Sequence, residues 1–317
     1  MDRLKYPPIY NYQLNVMLQN TYPETESTYL SIIVCTRNRA KELRTCLPAL
    51  IQEAKTFDDV EIVMVDNGSN DDTAAVVSKL AEKERCPVVY VYEPVAGLCV
   101  ARNRGMKTAK GKVLVYIDDD AVPHKGWVGV IREIFQDQNV DSAGGRIIAK
   151  PQGGMPDWFP PGLVWVIGEY YKGDEQRRYN LPHDCPAGGN FAVRKQVSEA
   201  LGGFDERLKL YNDEVDFFRR MSENGFNSVY FPKMVVDHCP YITRDNLLTK
   251  AFRMGQAQSV AAMLAETSLY GQLKRVLKHI FHSVYLGTSW LVTRRFDHAF
   301  NFWLNQGGIW GFLKRGI

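Results

Sequence analysis

Three consecutive acids, Asp118, Asp119 and Asp120, close the apolar run that begins at Val113. Adjacent carboxylates repel one another unless solvent or a cation lies between them. Residues two apart on an extended strand point the same way. Asp118 and Asp120 are therefore expected on one side and Asp119 on the other. Two carboxylates aimed at one spot suit a hard divalent cation, Mg²⁺ or Mn²⁺, whose shell is completed by substrate phosphates. An isolated Asp-x-Asp is more often a helix cap or a solvated acidic turn, so the surroundings must decide. Other polar clusters also follow apolar runs: Thr36-Arg37-Asn38, Asp66-Asn67-Gly68-Ser69 and Glu93.

The elements that carry these clusters repeat. LSIIVCT (Leu30 to Thr36), VEIVMVD, VVYVYE and KVLVYIDDD read as strands covered on both faces. Between them lie three predicted helices: KELRTCLPALIQEA, whose start Pro48 is expected to shift; DDTAAVVSKLAEK, with acids in its first turn; and GLCVARNRGMKTAK, opened by Gly97. Strand and helix in alternation predict an α/β domain on a mostly parallel sheet. Ligands of such sheets bind beyond the carboxyl ends of the strands, and all four polar clusters fall there. The first turn has no G-x-G-x-x-G, and no P-loop motif occurs, so neither phosphate fingerprint is present.

Past residue 140 the order changes. DSAGGRIIA predicts a strand, residues 150–187 a long loop region, and AGGNFAVRKQVSEALGGFDE a Gly-rich turn, strand and helix. YNDEVDFFRRMSENG predicts a helix stopped by Gly225, with Asn212 as a candidate cap. SVYFPKMVVDHC predicts a strand interrupted by Pro232, and helices follow from about Asp245.

At 45% hydrophobic and 24% charged residues, the 317-residue chain is expected to pack a core rather than stay disordered. A net charge of +3 does not argue for nucleic acid, and no such partner is expected. The charge is uneven: from Tyr241 onward there are ten Lys and Arg against three Asp and Glu. The six cysteines form no C-x-x-C pair, so a zinc site is not expected, and their apolar settings predict a reducing, cytoplasmic compartment. MDRLKYPPIYNYQ lacks the apolar core of a signal peptide, and IFHSVYLGTSWLV is too short and too polar for a membrane span.

The ordered motifs SIIVCTRNR, VMVDNGSNDDT, GLCVARNRG, VYIDDDAVP, AGGNFAVRK, LYNDEVDFFRR and VVDHC resemble those of the family 2 glycosyltransferases of the GT-A fold. The resemblance runs from about Ser31 to Asn246. It implies a Rossmann-like α/β/α sandwich, inverting transfer of a sugar from a nucleotide diphosphate donor, and a Mn²⁺ or Mg²⁺ cofactor. By the same resemblance Thr36 and Arg37 border the nucleotide, and Asp66 meets the nucleobase edge or ribose. A carboxylate there accepts from an imide N–H, which favours a UDP- or dTDP-sugar. Arg102 and Asn103 match positions lining the donor pocket. Asp118 resembles the ribose- or water-linked acid, Asp120 the direct metal ligand, and Asp119, at a variable position, is counted with the donor contacts. Gly188 and Gly189 lie between donor sugar and acceptor, and His238 near metal and diphosphate. Family members place Glu-Asp where this chain has Asp213-Glu214. Glu214 takes the place of the general base by position, with Asp213 as the alternative.

Three parts follow: an extension over 1–28, a GT-A domain over 29–245 and a helical region over 246–317. The acceptor is expected to be a glycan or a lipid-linked glycan. In the last region Leu273, Val276, Leu277, Ile280, Phe281, Val284 and Tyr285 recur at helical spacing beside Lys274, Arg275 and Lys278. Such helices suit either an anionic membrane surface or packing on the catalytic domain or in a homodimer. Two rival functions share the fold class. A sugar-nucleotide nucleotidyltransferase calls for a Gly-rich loop after the first strand, and CTRNRAKEL has no glycine. A non-catalytic nucleotide-sugar scaffold has no need of the acidic clusters kept here.

Overall fold

The computed structural model describes residues 28–83, 87–208, 212–265, 286 and 295–313. The strands are β1 (Leu30–Thr36), β2 (Val60–Asp66), β3 (Val88–Tyr92), β4 (Val113–Asp118), β5 (Ala121–Pro123), β6 (Ser142–Ala149), β7 (Arg177–Arg178), β8 (Asn190–Arg194) and β9 (Ser228–His238). The helices are α1 (Ala40–Ala54), α2 (Thr73–Lys83), α3 (Leu98–Thr108), α4 (Trp127–Ile134), α5 (Lys195–Ala200), α6 (Asp213–Glu223), α7 (Arg244–Ala265) and α8 (Phe296–Leu313), with a 3₁₀ helix at Pro161–Ile167.

One sheet runs in the order β3-β2-β1-β4-β8-β6-β9-β5, with β7 on β9. Alternate residues of β1 enter opposite cores. Leu30, Ile32 and Val34 pack with Leu43 and Leu47 of α1 and Val77 of α2. Ile33 packs with Ala101 of α3 and Phe217 of α6. Helices on both faces of a sheet make the expected α/β/α sandwich. The strands β1 to β4 pair in parallel, as their apolar runs predict. The rest of the sheet is mixed: β6 is parallel to β9, β8 is antiparallel to β4 and β6, and β5 and β7 are antiparallel to β9. Which strand pairs with which is a long-range choice that apolar runs do not encode.

Register sets the site. Thr36 pairs with Asp66, and Cys35 with Asp118, so three polar strand ends lie side by side. β4 ends at Asp118; Asp119 and Asp120 form a turn rather than a strand end. β5 then pairs Ala121 with His238, which brings the end of β9 to the acids. Pro232 sits where β9 loses register with β6 between Gly145 and Arg146. Asn190 holds that irregularity by donating Nδ2–H to Met234 O at 2.8 Å and Arg146 O at 3.0 Å.

Local expectations change in four places. Pro48 lies inside α1, which starts at Ala40. Asp71 and Asp72 precede α2, and Asp71 accepts from Thr73 N at 3.0 Å and from Ala40 N at 3.2 Å, serving both helix starts. Asn212 stands before α6 in the left-handed conformation (φ 66°) and makes no side-chain cap. Residues 150–187 contain the 3₁₀ helix and β7.

At the carboxyl end, Leu247 and Ala251 of α7 and Phe300 of α8 pack with Phe159, Leu163 and Ile167. The described part of the tail therefore packs on the loop region beside the sheet. Leu273 through Lys278 and Ile280 through Tyr285 lie outside the described residues, as does the extension over 1–27.

Candidate active site

The turn after β4 and the end of β9 converge on one cluster. The carboxylates of Asp118 and Asp120 and a ring nitrogen of His238 lie within 4.8 Å of one another. His238 Nε2 is 3.0 Å from Asp120 Oδ1 and 4.0 Å from Asp118 Oδ2. Its Nδ1 faces Ile167 O at 2.7 Å. That carbonyl holds the Nδ1 proton and leaves Nε2 turned to the acids, the arrangement that orients metal-ligating histidines. A Cβ on Gly168 would lie 2.6 Å from Nδ1, so the glycine leaves room for the ring.

Burial works against the Asp120 carboxylate, but His238 and Arg39 outweigh it and hold its pKa below the usual carboxylate range. Burial likewise opposes the charged form of His238, yet the hydrogen bond to Asp120 raises its pKa. Asp119 turns away to accept from Thr36 Oγ1 at 2.7 Å. Burial pushes its pKa up to about 7 against the pull of Arg39. Arg39 also pairs with Asp120. Two carboxylates and one imidazole form a donor set that fits Mn²⁺, and Mg²⁺ less well because of the nitrogen. Three protein ligands leave positions for phosphate oxygens.

A cleft of about 450 Å³ opens beside this cluster, at the ends of β1 and β2 and the start of α3. Thr36, Arg37, Asn67 and Gly97 line it. Asn67 shapes its far wall: Nδ2–H donates to Val95 O at 2.6 Å, and Oδ1 accepts from Gly97 N at 2.8 Å. Asp66 is only 2% exposed. Its Oδ1 accepts from Ser69 N and its Oδ2 from the Tyr90 hydroxyl, each at 2.8 Å. It thus builds the turn that presents Asn67 and gives the cleft little surface of its own.

The third group links α3, α6 and the turn before β8. Arg102 is buried among the rings of Tyr116, Phe191 and Phe204, its guanidinium 5.3 Å from the last. It pairs with Asp213 and donates to Gly188 O at 2.9 Å. Arg102 therefore braces Asp213 and the Gly188 turn and does not line the cleft, contrary to the expectation. Asn103 is also turned inward, donating to Phe204 O at 2.9 Å and accepting from Phe204 N at 2.7 Å. Asp213 is 2% exposed and taken by Arg102, whereas Glu214 is half-buried. Burial, with Asp213 adding to it, pushes the Glu214 pKa up to about 8. A carboxyl poised near neutrality suits a general base. Gly188 and Gly189 separate the two acidic groups: a Cβ on Gly188 would lie 3.5 Å from Glu214 Oε2, and one on Gly189 would lie 2.5 Å from Asp118 Oδ2.

Arg39 and Asn67 were not singled out as site residues from sequence. Asn67 acts through Glu93, Val95 and Gly97, 26 to 30 positions away, and Arg39 through Asp119 and Asp120, 80 and 81 away, distances no local pattern spans.

This fold and arrangement have relatives. A model of the family "Glycosyl transferase family 2" matches residues 31–202. The chain belongs to that family and is a glycosyltransferase. It is 26% identical over 245 residues to glycosyltransferase AglE of Haloferax volcanii, with 76% of each chain covered. It is 27% identical over 232 residues to the chondroitin synthase of Pasteurella multocida, covering 64% of this chain and 24% of that one. In fold it is similar to mannosyltransferase PcManGT from Pyrobaculum calidifontis, solved with GDP-Man and Mn²⁺ (TM-score 0.61, 16% identity, 96% of this chain and 93% of that one). GalNAc-T7, solved with UDP, GalNAc and Mn²⁺, is also similar (TM-score 0.53, 19% identity, 68% of this chain and 43% of that one). Among the described residues no helix is long and apolar enough to cross a membrane.

Proposed function

We propose that the chain is an inverting, divalent-metal-dependent glycosyltransferase that moves a sugar from a nucleoside diphosphate to a hydroxyl of a glycan or lipid-linked acceptor. The observation that carries this reading is the pairing of two sites across the Gly188-Gly189 turn. On one side Asp118, Asp120 and His238 form a metal-type donor set. On the other, Glu214 has a pKa near 8.

The residues divide the work. Thr36, Arg37 and Asn67 border the nucleotide, with Asp66 behind them. Asp118, Asp120 and His238 hold the cation, which supplies charge neutralisation to the diphosphate oxygens. Glu214 takes the proton of the acceptor hydroxyl as that oxygen attacks the anomeric carbon. The bond from that carbon to the diphosphate breaks, and its electron pair leaves on the phosphate oxygen. Asp213 and Arg102 hold Glu214 and the Gly188 carbonyl in place. Residues 29–245 form the catalytic unit in this reading. The basic tail serves contact with an anionic membrane surface or a second copy, at the cytoplasmic side.

Asp66, its oxygens taken by Ser69 N and the Tyr90 hydroxyl, is not free to accept from an imide N–H, so UDP-, dTDP- and GDP-sugars are all candidate donors. Release of nucleoside diphosphate from UDP-, dTDP- and GDP-sugars, with Mn²⁺ or with chelator, tests the proposal. One donor should be turned over, and only with metal. Equal release under chelation, or none from any donor, overturns it.

A further inference from the structure

A second pocket, of about 400 Å³, lies against the acidic cluster on the side of α7. Asp120, His238 and Arg39 form one wall, and Asn246, Lys250 and Arg253 of α7 form the other. The spacing explains the lining. Positions 246, 250 and 253 recur every three to four residues, which is one helix face. Leu247 and Ala251, on the adjacent face, are buried against Phe159, Leu163 and Phe300 and fix the rotation of the helix. The helix start is fixed too, because Thr243 and Asn246 cap one another through backbone N–H groups at 2.9 and 3.1 Å.

Two cations thus face a pocket whose opposite wall is the metal-type cluster. Among the described residues the side chains of Lys250 and Arg253 have no hydrogen-bond or ion-pair partner. Burial lowers the Lys250 pKa and the Arg39 charge adds to it, against the opposing charges of Asp118 and Asp120. A half-buried ammonium without a side-chain partner, beside an exposed guanidinium, gains from an incoming anion. Asp120 and His238 line this pocket, but Glu214 and Gly188 do not. The anion that belongs here is therefore one that meets the metal cluster, not one that carries the acceptor hydroxyl. α7 also lies beyond residues 31–202 that match the family.

We infer that Lys250 and Arg253 bind the phosphate oxygens of the donor's diphosphate from the α7 side and hold the leaving group once the sugar has gone. This rests on the donor reading above, and the test separates the two. Inorganic pyrophosphate, UDP, GDP, uridine and guanosine are titrated calorimetrically with Mn²⁺ present. The proteins are the wild type, Lys250→Met, Arg253→Met and Lys250→Arg. Loss of one charge-assisted contact is expected to weaken pyrophosphate and nucleoside diphosphate by roughly 10-fold or more. Nucleoside affinity should not change, and Lys250→Arg should restore most of the loss. Unchanged pyrophosphate affinity in both Met variants, or equal loss for nucleosides, overturns the inference. Pyrophosphate binding that needs Lys250, without any nucleotide binding, upholds the anion pocket and overturns the donor reading. A wild type that binds neither overturns both.

Discussion

Arg102 of α3 and Asp213 of α6 form an ion pair in the interior, 4% and 2% exposed, although 111 positions separate them. The pair resolves the Asp213-Glu214 dipeptide into two roles. One acid is neutralised by a guanidinium that also grips Gly188, and its neighbour is left to titrate. Breaking a buried pair by removing one partner leaves an uncompensated charge and costs about 3–5 kcal/mol. Asp213→Asn should therefore lower the melting temperature and the urea midpoint clearly. Glu214→Gln should not lower them. Equal stability of the two variants would remove the bracing role from Asp213.

Turnover should order the same variants the other way. Removing a general base costs about 10²- to 10⁴-fold in rate, so Glu214→Gln should lose that much while keeping donor affinity. Asp213→Asn, assayed where it is folded, should lose less. If Asp213→Asn loses more turnover, the two acids exchange roles.

The pH dependence follows from the raised Glu214 carboxyl. The base works unprotonated, so transfer should rise with pH and level off above about 8. Stability runs oppositely. A folded-state pKa above the ordinary 4.5 means that the folded protein holds the proton more tightly. That stabilisation is full below 4.5 and is lost as pH rises through about 8. Wild type should therefore lose stability relative to Glu214→Gln across this window, which paired melts from pH 4 to 9 would register. Parallel melts would assign the raised pKa elsewhere.

Gly189 is the structural link between the two halves of the site. A Cβ there would lie 2.5 Å from Asp118 Oδ2 and drive the carboxylate aside. Gly189→Ala should keep the fold and weaken Mn²⁺ by roughly the 10- to 100-fold typical of a disturbed metal ligand shell. Titration followed by Mn²⁺ electron paramagnetic resonance reads this directly. An unchanged Mn²⁺ affinity would show that Asp118 is free to move.

What was legible in the sequence was local. The apolar runs of β1 to β4 are buried on both faces, so their composition announced them, and the acidic cluster at the end of β4 was visible too, although Asp119 and Asp120 sit in a turn and not on an extended strand. The resemblance carried His238 to the cluster, where it lies 3.0 Å from Asp120. What stayed hidden was the choice of partner. Arg102 read as lining the donor pocket, because only the approach of α6 to α3 brings it to Asp213. Arg39 was not singled out because its partners, Asp119 and Asp120, enter from another strand end. The antiparallel pairings of β8 and β5 were invisible for the same reason: they depend on where the chain returns after residue 150.

The central claim, a cation held by Asp118, Asp120 and His238 that recruits the donor's diphosphate, is tested most directly on Asp120→Ala. Binding of UDP and GDP is measured calorimetrically with Mn²⁺ and with chelator, in wild type and variant, with circular dichroism as the control for fold. Wild type should bind one of the two more tightly with Mn²⁺, and Asp120→Ala should lose that gain while keeping its secondary structure. Nucleotide affinity in Asp120→Ala that still rises with Mn²⁺ as it does in wild type would contradict the account.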